Sequence, residues 1–266
     1  MIFVMGGFWL HPVSFFLTGL LILIGTQYEY YIIIRNTGAR PQMATGIFVG
    51  ISAYVLSTLI ACGKIPISSF LFFIPVVFII MVIELYRQQD NPFDSLAHTF
   101  FSVLYTAIPL SLFPFAAFSR TGLNSLFAHP DIIFSPGIII GFFILIWAND
   151  TGAYLTGMTL GRHKLMERIS PKKTWEGFFG GLIIAGVAAG FLSGWLREVD
   201  KIHWIIIAII ISVSGTYGDL TESMLKRSTG VKDSGTVMPG HGGFLDRFDS
   251  AIVSFPIVYL FISLFG

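Results

Sequence analysis

The residues with the clearest chemical purpose lie in two polar stretches of an otherwise apolar chain. The first, Ser223 to Asp249, reads SMLKRSTGVKDSGTVMPGHGGFLDRFD. Asp219 and Glu222 stand three apart just ahead of it and Asp246 and Asp249 three apart at its end, and on a helix an i,i+3 pair shares one face. Carboxylates held together near hydrocarbon repel each other unless a cation sits between them. Oxygen-only ligands select a hard ion such as Mg²⁺ over zinc, which makes Asp219, Asp246 and Asp249 candidate metal ligands. The competing arrangement is a set of salt bridges to Lys226, Arg227 and Arg247. Pro239-Gly240-His241-Gly242-Gly243 lets the backbone approach a ligand and offer amide N–H groups to an anion. With Lys226, Arg227, Lys232 and Arg247 around it in the sequence, this turn makes a polyphosphate cradle, although such cations also face lipid headgroups in many membrane proteins. His241 either donates to a phosphate or acts as general acid, or it is a structural donor within the turn.

The second stretch runs from Trp147-Ala148-Asn149-Asp150-Thr151-Gly152-Ala153-Tyr154 to Ser170-Pro171-Lys172-Lys173-Thr174-Trp175-Glu176-Gly177. An apolar helix ending near Trp147 would present Asn149 and Asp150 at its end. Asp150 is then a ligand for metal or nucleotide, or it caps the helix or pairs with Arg162 or Lys164. Thr174 has the chemistry of an N-cap, with Glu176 in the first turn after it. Lys172 and Lys173 would lie beside that positive helix end, a ready anion site. Glu29 and Glu84 sit near span ends among Tyr and Arg and read as boundary anchors or members of local pairs. His11, His98, His129, His163 and His203 are scattered without an i,i+4 pair, which supports no histidine metal site.

These stretches must be positioned by membrane helices. The 266 residues are 54% hydrophobic and 12% charged, with mean hydropathy +0.78, and no soluble domain of this size buries so much apolar surface. Apolar segments fall near 12–34, 44–62, 66–86, 97–117, 132–148, 175–196, 202–220 and 249–265, which predicts an all-α polytopic membrane protein with eight spans. They are too long for barrel strands and do not alternate. No repeat or low-complexity tract marks an internal boundary, so 1–266 reads as one transmembrane domain with its catalytic region at about 147–250. The odd-numbered loops hold 12 basic residues, including Arg35, Arg40, Arg87, Arg162, Lys164 and Arg168, and the even-numbered loops hold 4. The positive-inside rule therefore places both chemical stretches on the cytoplasmic side. Met1 to Phe8 is apolar but too short to cross a bilayer, and reads as the tail of an earlier helix. A net charge of +1 excludes the basic balance of a nucleic-acid binder, and the lone Cys62 excludes an intrachain disulfide.

Ser223 to Asp249 resembles the signature of phosphatidate cytidylyltransferases, of the form S-x-x-K-R-x4-K-D-x-G-x5-H-G-G-x-x-D-R-x-D. Met238 stands where that family more often has Ile or Leu. The segments around Asn149 to Tyr154 and Gly161 to Gly177 are also similar to the family, so the resemblance covers roughly 140–266; Glu29-Tyr30-Tyr31 and the span pattern fit more weakly. Members usually begin with one more helix, and the chain is expected to be shorter at its start.

The resemblance implies transfer of CMP from CTP to phosphatidate with release of pyrophosphate, in the inner membrane of a prokaryote. It also implies a requirement for Mg²⁺, with K⁺ as a second cation, and a second copy of the chain is allowed as partner. By residue, it implies that Asp219, Asp246 and Asp249 hold metal and that Lys226, Arg227, Lys232 and Arg247 bind phosphates. Lys172 and Lys173 receive the lipid phosphate or CTP, and Asn149, Asp150, His241, Gly242 and Gly243 complete substrate binding. The alternatives are a CTP-dependent enzyme acting on another lipid phosphate or a polyprenol, and a cation-coupled transporter. Against transport, the charged residues crowd one membrane face rather than the midplane, and there is no inverted repeat.

Overall fold

The computed structural model of the chain describes residues 2–120, 132–196, 198–231, 234–235 and 242–265. After a short helix α1 (Ile2–Leu10) come eight helices long and apolar enough to cross a membrane: α2 (Pro12–Arg35), α3 (Met43–Ala61), α4 (Ile67–Arg87), α5 (Pro92–Ala117), α6 (Gly137–Leu160), α7 (Trp175–Trp195), α8 (Lys201–Ser228) and α9 (Leu245–Phe265). Two hairpins, β1 (Phe118–Arg120) with β2 (Ile132–Phe134) and β3 (Lys164–Met166) with β4 (Ser170–Thr174), are the strands among the described residues. The chain is thus an all-α polytopic membrane protein. Helix α4 shows why water is not its solvent: Phe72, Ile74, Phe78, Ile79 and Val82 are exposed while Ile80 and Glu84 are buried, which only a bilayer tolerates.

Eight spans agree with the hydropathy reading, and five boundaries differ from it by more than one residue, two of them the starts of α6 at Gly137, after strand β2, and of α9 at Leu245. Helix α6 continues 12 residues past Ala148 to Leu160, α8 runs on to Ser228, and α5 starts at Pro92. Hydropathy stops where polar side chains begin, whereas the i→i−4 backbone ladder needs no apolar side chain to continue. Asn149 and Asp150 therefore lie in the body of a helix rather than at its end, which corrects the expected helix stop.

The described residues group into two compact units. One comprises Met1–Pro136 with Thr229–Leu245, that is α1 to α5, the β1–β2 hairpin and the loop before α9. His11 caps α2 through its Nδ1, which accepts from the Val13 amide at 3.1 Å, and α1 doubles back so that Phe8 packs on Phe15 at 5.1 Å between ring centroids. The interior of this unit is laced with hydrogen bonds that satisfy polar side chains away from water. The Tyr31 hydroxyl donates to the Thr99 carbonyl (3.2 Å), and Tyr30 meets His98 Nδ1 at 3.0 Å. The Gln42 amide N–H donates to Thr99 Oγ1 at 2.9 Å. Glu84, 2% exposed, accepts from Arg87 at 2.8 Å and from Gln42 Nε2 at 2.7 Å, the local pair expected of it. Arg35, Arg40 and Arg87, from two odd-numbered loops, line one cavity of about 440 Å³.

The other unit, Gly137–Ser228 with Asp246–Gly266, contains α6 to α9 and the β3–β4 hairpin. Its helices touch through glycine. A Cβ on Gly181 of α7 would lie 2.7 Å from the Asn149 carbonyl oxygen of α6, and one on Gly177 2.9 Å from that of Ala153. Likewise a Cβ on Gly218 of α8 would lie 2.8 Å from the Asp249 carbonyl oxygen of α9. Without hydrophobic drive between helices in lipid, such backbone approach is what van der Waals packing has to work with.

Candidate active site

The second unit positions its polar residues in two places. Thr174 ends β4 and caps α7, its Oγ1 accepting from the Gly177 amide at 3.2 Å, as its type and place predict. Glu176, in the first turn, accepts from the backbone N–H groups of Arg162 (3.1 Å) and His163 (3.2 Å) and meets His163 Nδ1 at 2.6 Å. The carboxylate thereby ties the base of the hairpin to the helix start. Held at both ends, the hairpin delivers Lys172 and Lys173 to the wall of a cavity of about 450 Å³. Asn149, Asp150 and Tyr154 of α6, Thr216 and Asp219 of α8, and Ser250 of α9 line it as well, with an apolar side from Met158, Leu165 and Phe178.

Lys173 Nζ contacts Asp219 Oδ2 at 2.7 Å, and Ser223, one turn on, donates to the other carboxylate oxygen at 3.2 Å. Asp150 is within electrostatic reach of Lys173 and Asp219, and Asp249 within reach of Lys173, Asp219 and Asp150. Asp249 is buried, and its Oδ1 accepts from the Ser250 amide at 2.6 Å. This assembly of oxygen donors with the ammonium groups of Lys172 and Lys173 at a cavity of ligand size is suited to polyphosphate with a hard cation.

The second place lies one helical turn further along α8. Lys226 Nζ sits between Glu222 Oε2 (2.5 Å) and Asp246 Oδ1 (2.6 Å), joining α8 to the first turn of α9. Glu222 is 1% exposed, and neither Lys226 nor Asp246 lines the cavity. The salt-bridge alternative weighed from the sequence is thus realised through Lys226, and through Lys173 from the other stretch. Among the described residues no three of His, Cys, Asp or Glu gather into a cage for a metal ion. The trio Asp219, Asp246 and Asp249 is not preassembled, because Asp219 and Asp246 turn to different lysines. Arg227 and Arg247 are exposed and lie outside the cavity lining. Gly242 and Gly243 belong to the first unit, where Gly242 has φ +79°; Lys232 and His241 lie outside the described residues.

A family model for cytidylyltransferases matches residues 1–265. The chain belongs to the cytidylyltransferase family. It is 47% identical over 124 residues to the phosphatidate cytidylyltransferase of Bacillus subtilis (strain 168), an alignment covering 46% of each chain. It is 37% identical over 172 residues to that of Staphylococcus epidermidis (strain RP62A), and 39% identical over 175 residues to that of Staphylococcus aureus (strain COL). Both alignments cover 61% of this chain and 66% of the relative. The chain thus matches less than two thirds of the length of these relatives. Membership does not favour the transporter alternative.

Two features of this family member escaped sequence reasoning. Tyr154, Thr216 and Ser250 face the cavity; helical spacing signals the first two, four residues after Asp150 and three before Asp219. Glu29, expected as a boundary anchor or a member of a local pair, is 1% exposed in the first unit and accepts instead from two distant donors, the Leu245 amide (2.8 Å) and the Ser234 hydroxyl (3.1 Å). These partners stand 216 and 205 residues away, and no local pattern announces them.

Proposed function

We propose that this chain transfers CMP from CTP to phosphatidate, giving CDP-diacylglycerol and pyrophosphate, at the cytoplasmic face of a bacterial inner membrane. The observation that carries the reading is the Lys173–Asp219 pair on the wall of a cavity of about 450 Å³ that also has an apolar side. The phosphate monoester of the lipid is already an anionic nucleophile near neutral pH, so no strong base is needed. Its oxygen bonds to the α-phosphorus of CTP while the bond from that phosphorus to the bridging oxygen of the β-phosphate breaks, and pyrophosphate carries the charge away. The protein's task is alignment and charge neutralisation.

Lys172 and Lys173 take phosphate oxygens. As phosphate draws Lys173 away, Asp219 loses its partner and becomes a ligand with an unbalanced charge. Asp219 and Asp249, with Asp246, are the residues that would hold Mg²⁺. The oxygen-only donor set fits it, because Mg²⁺ commonly uses one or two carboxylates and completes its shell with phosphates and water. Bound there, the ion would neutralise triphosphate charge as it develops on the leaving group. Arg227, Lys232 and Arg247 supply further positive charge, His241, Gly242 and Gly243 contribute donors from the glycine-rich turn, and Asn149 and Asp150 meet the nucleotide. Potassium is proposed as a second cation from the resemblance alone, and a second copy of the chain as a partner. Tyr154, Met158, Leu165 and Phe178 offer apolar surface to the lipid.

The test is pyrophosphate release by the purified chain in detergent, with CTP and phosphatidate, with and without Mg²⁺, beside Asp246→Asn. Release should need both substrates and Mg²⁺, and fall by about 10²–10³-fold in the variant, the usual size for a lost electrostatic contact at the reacting centre. A folded wild-type sample that releases none overturns the reading, and wild-type turnover by the variant removes Asp246 from the site.

A further inference from the structure

The first unit contains a buried carboxylate that the proposed chemistry leaves unused. Glu29 is carried by α2 and is 1% exposed. Its Oε2 accepts from the Leu245 amide at 2.8 Å and the Ser234 hydroxyl at 3.1 Å, while Oε1 has no hydrogen-bond partner among the described residues. The two donors stand near the two ends of the glycine-rich part of the signature. Two signature glycines also fit against this carboxylate: a Cβ on Gly243 would overlap Oε2, and one on Gly235 would lie 2.7 Å from Oε1. Burying a carboxylate is costly unless hydrogen bonds compensate it. Among the described residues the compensation comes from Ser234 and Leu245.

We propose that Glu29 is a positioning residue that clamps both ends of the signature loop and thereby sets the backbone from which Asp246 and Arg247 follow. Leu245, whose amide it holds, is bonded directly to Asp246. The inference rests on the reading of Asp246 and Arg247 given above. It makes a specific chemical demand: both donors fall on one oxygen, so the clamp needs an acceptor and not a charge. Gln at position 29, with its amide oxygen in the place of Oε2, keeps both bonds. Ala keeps neither. Gly243→Ala drives a methyl group into that oxygen and into the Ser234 hydroxyl it holds, and so breaks the same clamp from the loop side.

The experiment uses the full chain in detergent and compares Glu29→Gln, Glu29→Ala, Gly243→Ala and the Glu29→Ala/Gly243→Ala double variant. Three quantities are read: kcat with CTP and phosphatidate, the Mg²⁺ concentration giving half-maximal rate, and hydrogen–deuterium exchange at the Leu245 amide. Glu29→Ala should lower kcat about 100-fold, as a misplacement of roughly 1 Å does, raise the Mg²⁺ requirement and speed exchange at Leu245. Glu29→Gln should stay within about threefold of wild type in all three, because both hydrogen bonds survive. Gly243→Ala should resemble Glu29→Ala, and the double variant should be no worse than either. Wild-type kcat and exchange in a folded Glu29→Ala, or in Gly243→Ala if Glu29→Ala does not fold, overturns the clamp. So does a Glu29→Gln as impaired as Glu29→Ala, since charge would then be what matters. A wild-type chain that makes no product overturns the functional reading alone, because exchange at Leu245 still ranks the variants.

Discussion

Two lysines of the second unit meet carboxylates at nearly the same distance and in different company. Lys173 and Asp219, 2.7 Å apart with side chains 25% and 38% exposed, stand on the wall of the cavity. Lys226 is enclosed between Glu222 and Asp246, the three side chains 15%, 1% and 17% exposed. An open pair is worth about 0–1 kcal/mol because water screens it, so an arriving phosphate or cation displaces it cheaply. A closed group is different, since removing one member leaves charge without solvent or partner. Lys173 and Asp219 therefore form an exchangeable ligand site, whereas Lys226, held by Glu222, is a strut that joins α8 to α9 through Asp246, the ligand proposed above.

The sharpest way to break this contrast is Lys226→Met. It leaves Glu222 and Asp246 facing each other in the interior, and the loss should be about 3–5 kcal/mol, read as a lower thermal midpoint in detergent. An unchanged midpoint would make the enclosed group no strut. Asp219→Asn comes next and should act on the other axis: turnover falls about 10²–10³-fold while the midpoint stays nearly unchanged, because the lost pair is half exposed. A variant that unfolds but turns over normally when cooled would reverse the assignment of the two places. The smallest effect concerns the support of Lys173. Thr174→Ala removes the cap of α7 and should cost about 1 kcal/mol, with KM raised more than kcat is lowered because the adjoining lysines lose their placement. Wild-type KM together with the stability loss would separate the cap from the site.

Much of the molecule is legible in its sequence. The eight spans follow from length and hydropathy, which are local. The Thr174 cap follows from residue type at a helix start, and the acids with their glycine-rich neighbour follow from a dense signature. What escaped was the continuation of α6 and α8 beyond their apolar cores, which put Asp150 and Tyr154 on one helical face and carried Glu222 and Lys226 onto the same helix as Asp219. The β3–β4 hairpin escaped too, because five residues such as Ser-Pro-Lys-Lys-Thr carry no strand periodicity.

The sequence by itself determined an all-α membrane protein with its charge gathered in two stretches, since composition and spacing act on each segment independently. Only the tertiary structure decided which lysine meets which acid, and that Glu29 reaches a loop more than 200 residues on. Those choices depend on where helices touch at Gly177, Gly181 and Gly218 and on which carboxylates packing removes from water, and neither is a property of any stretch of chain alone.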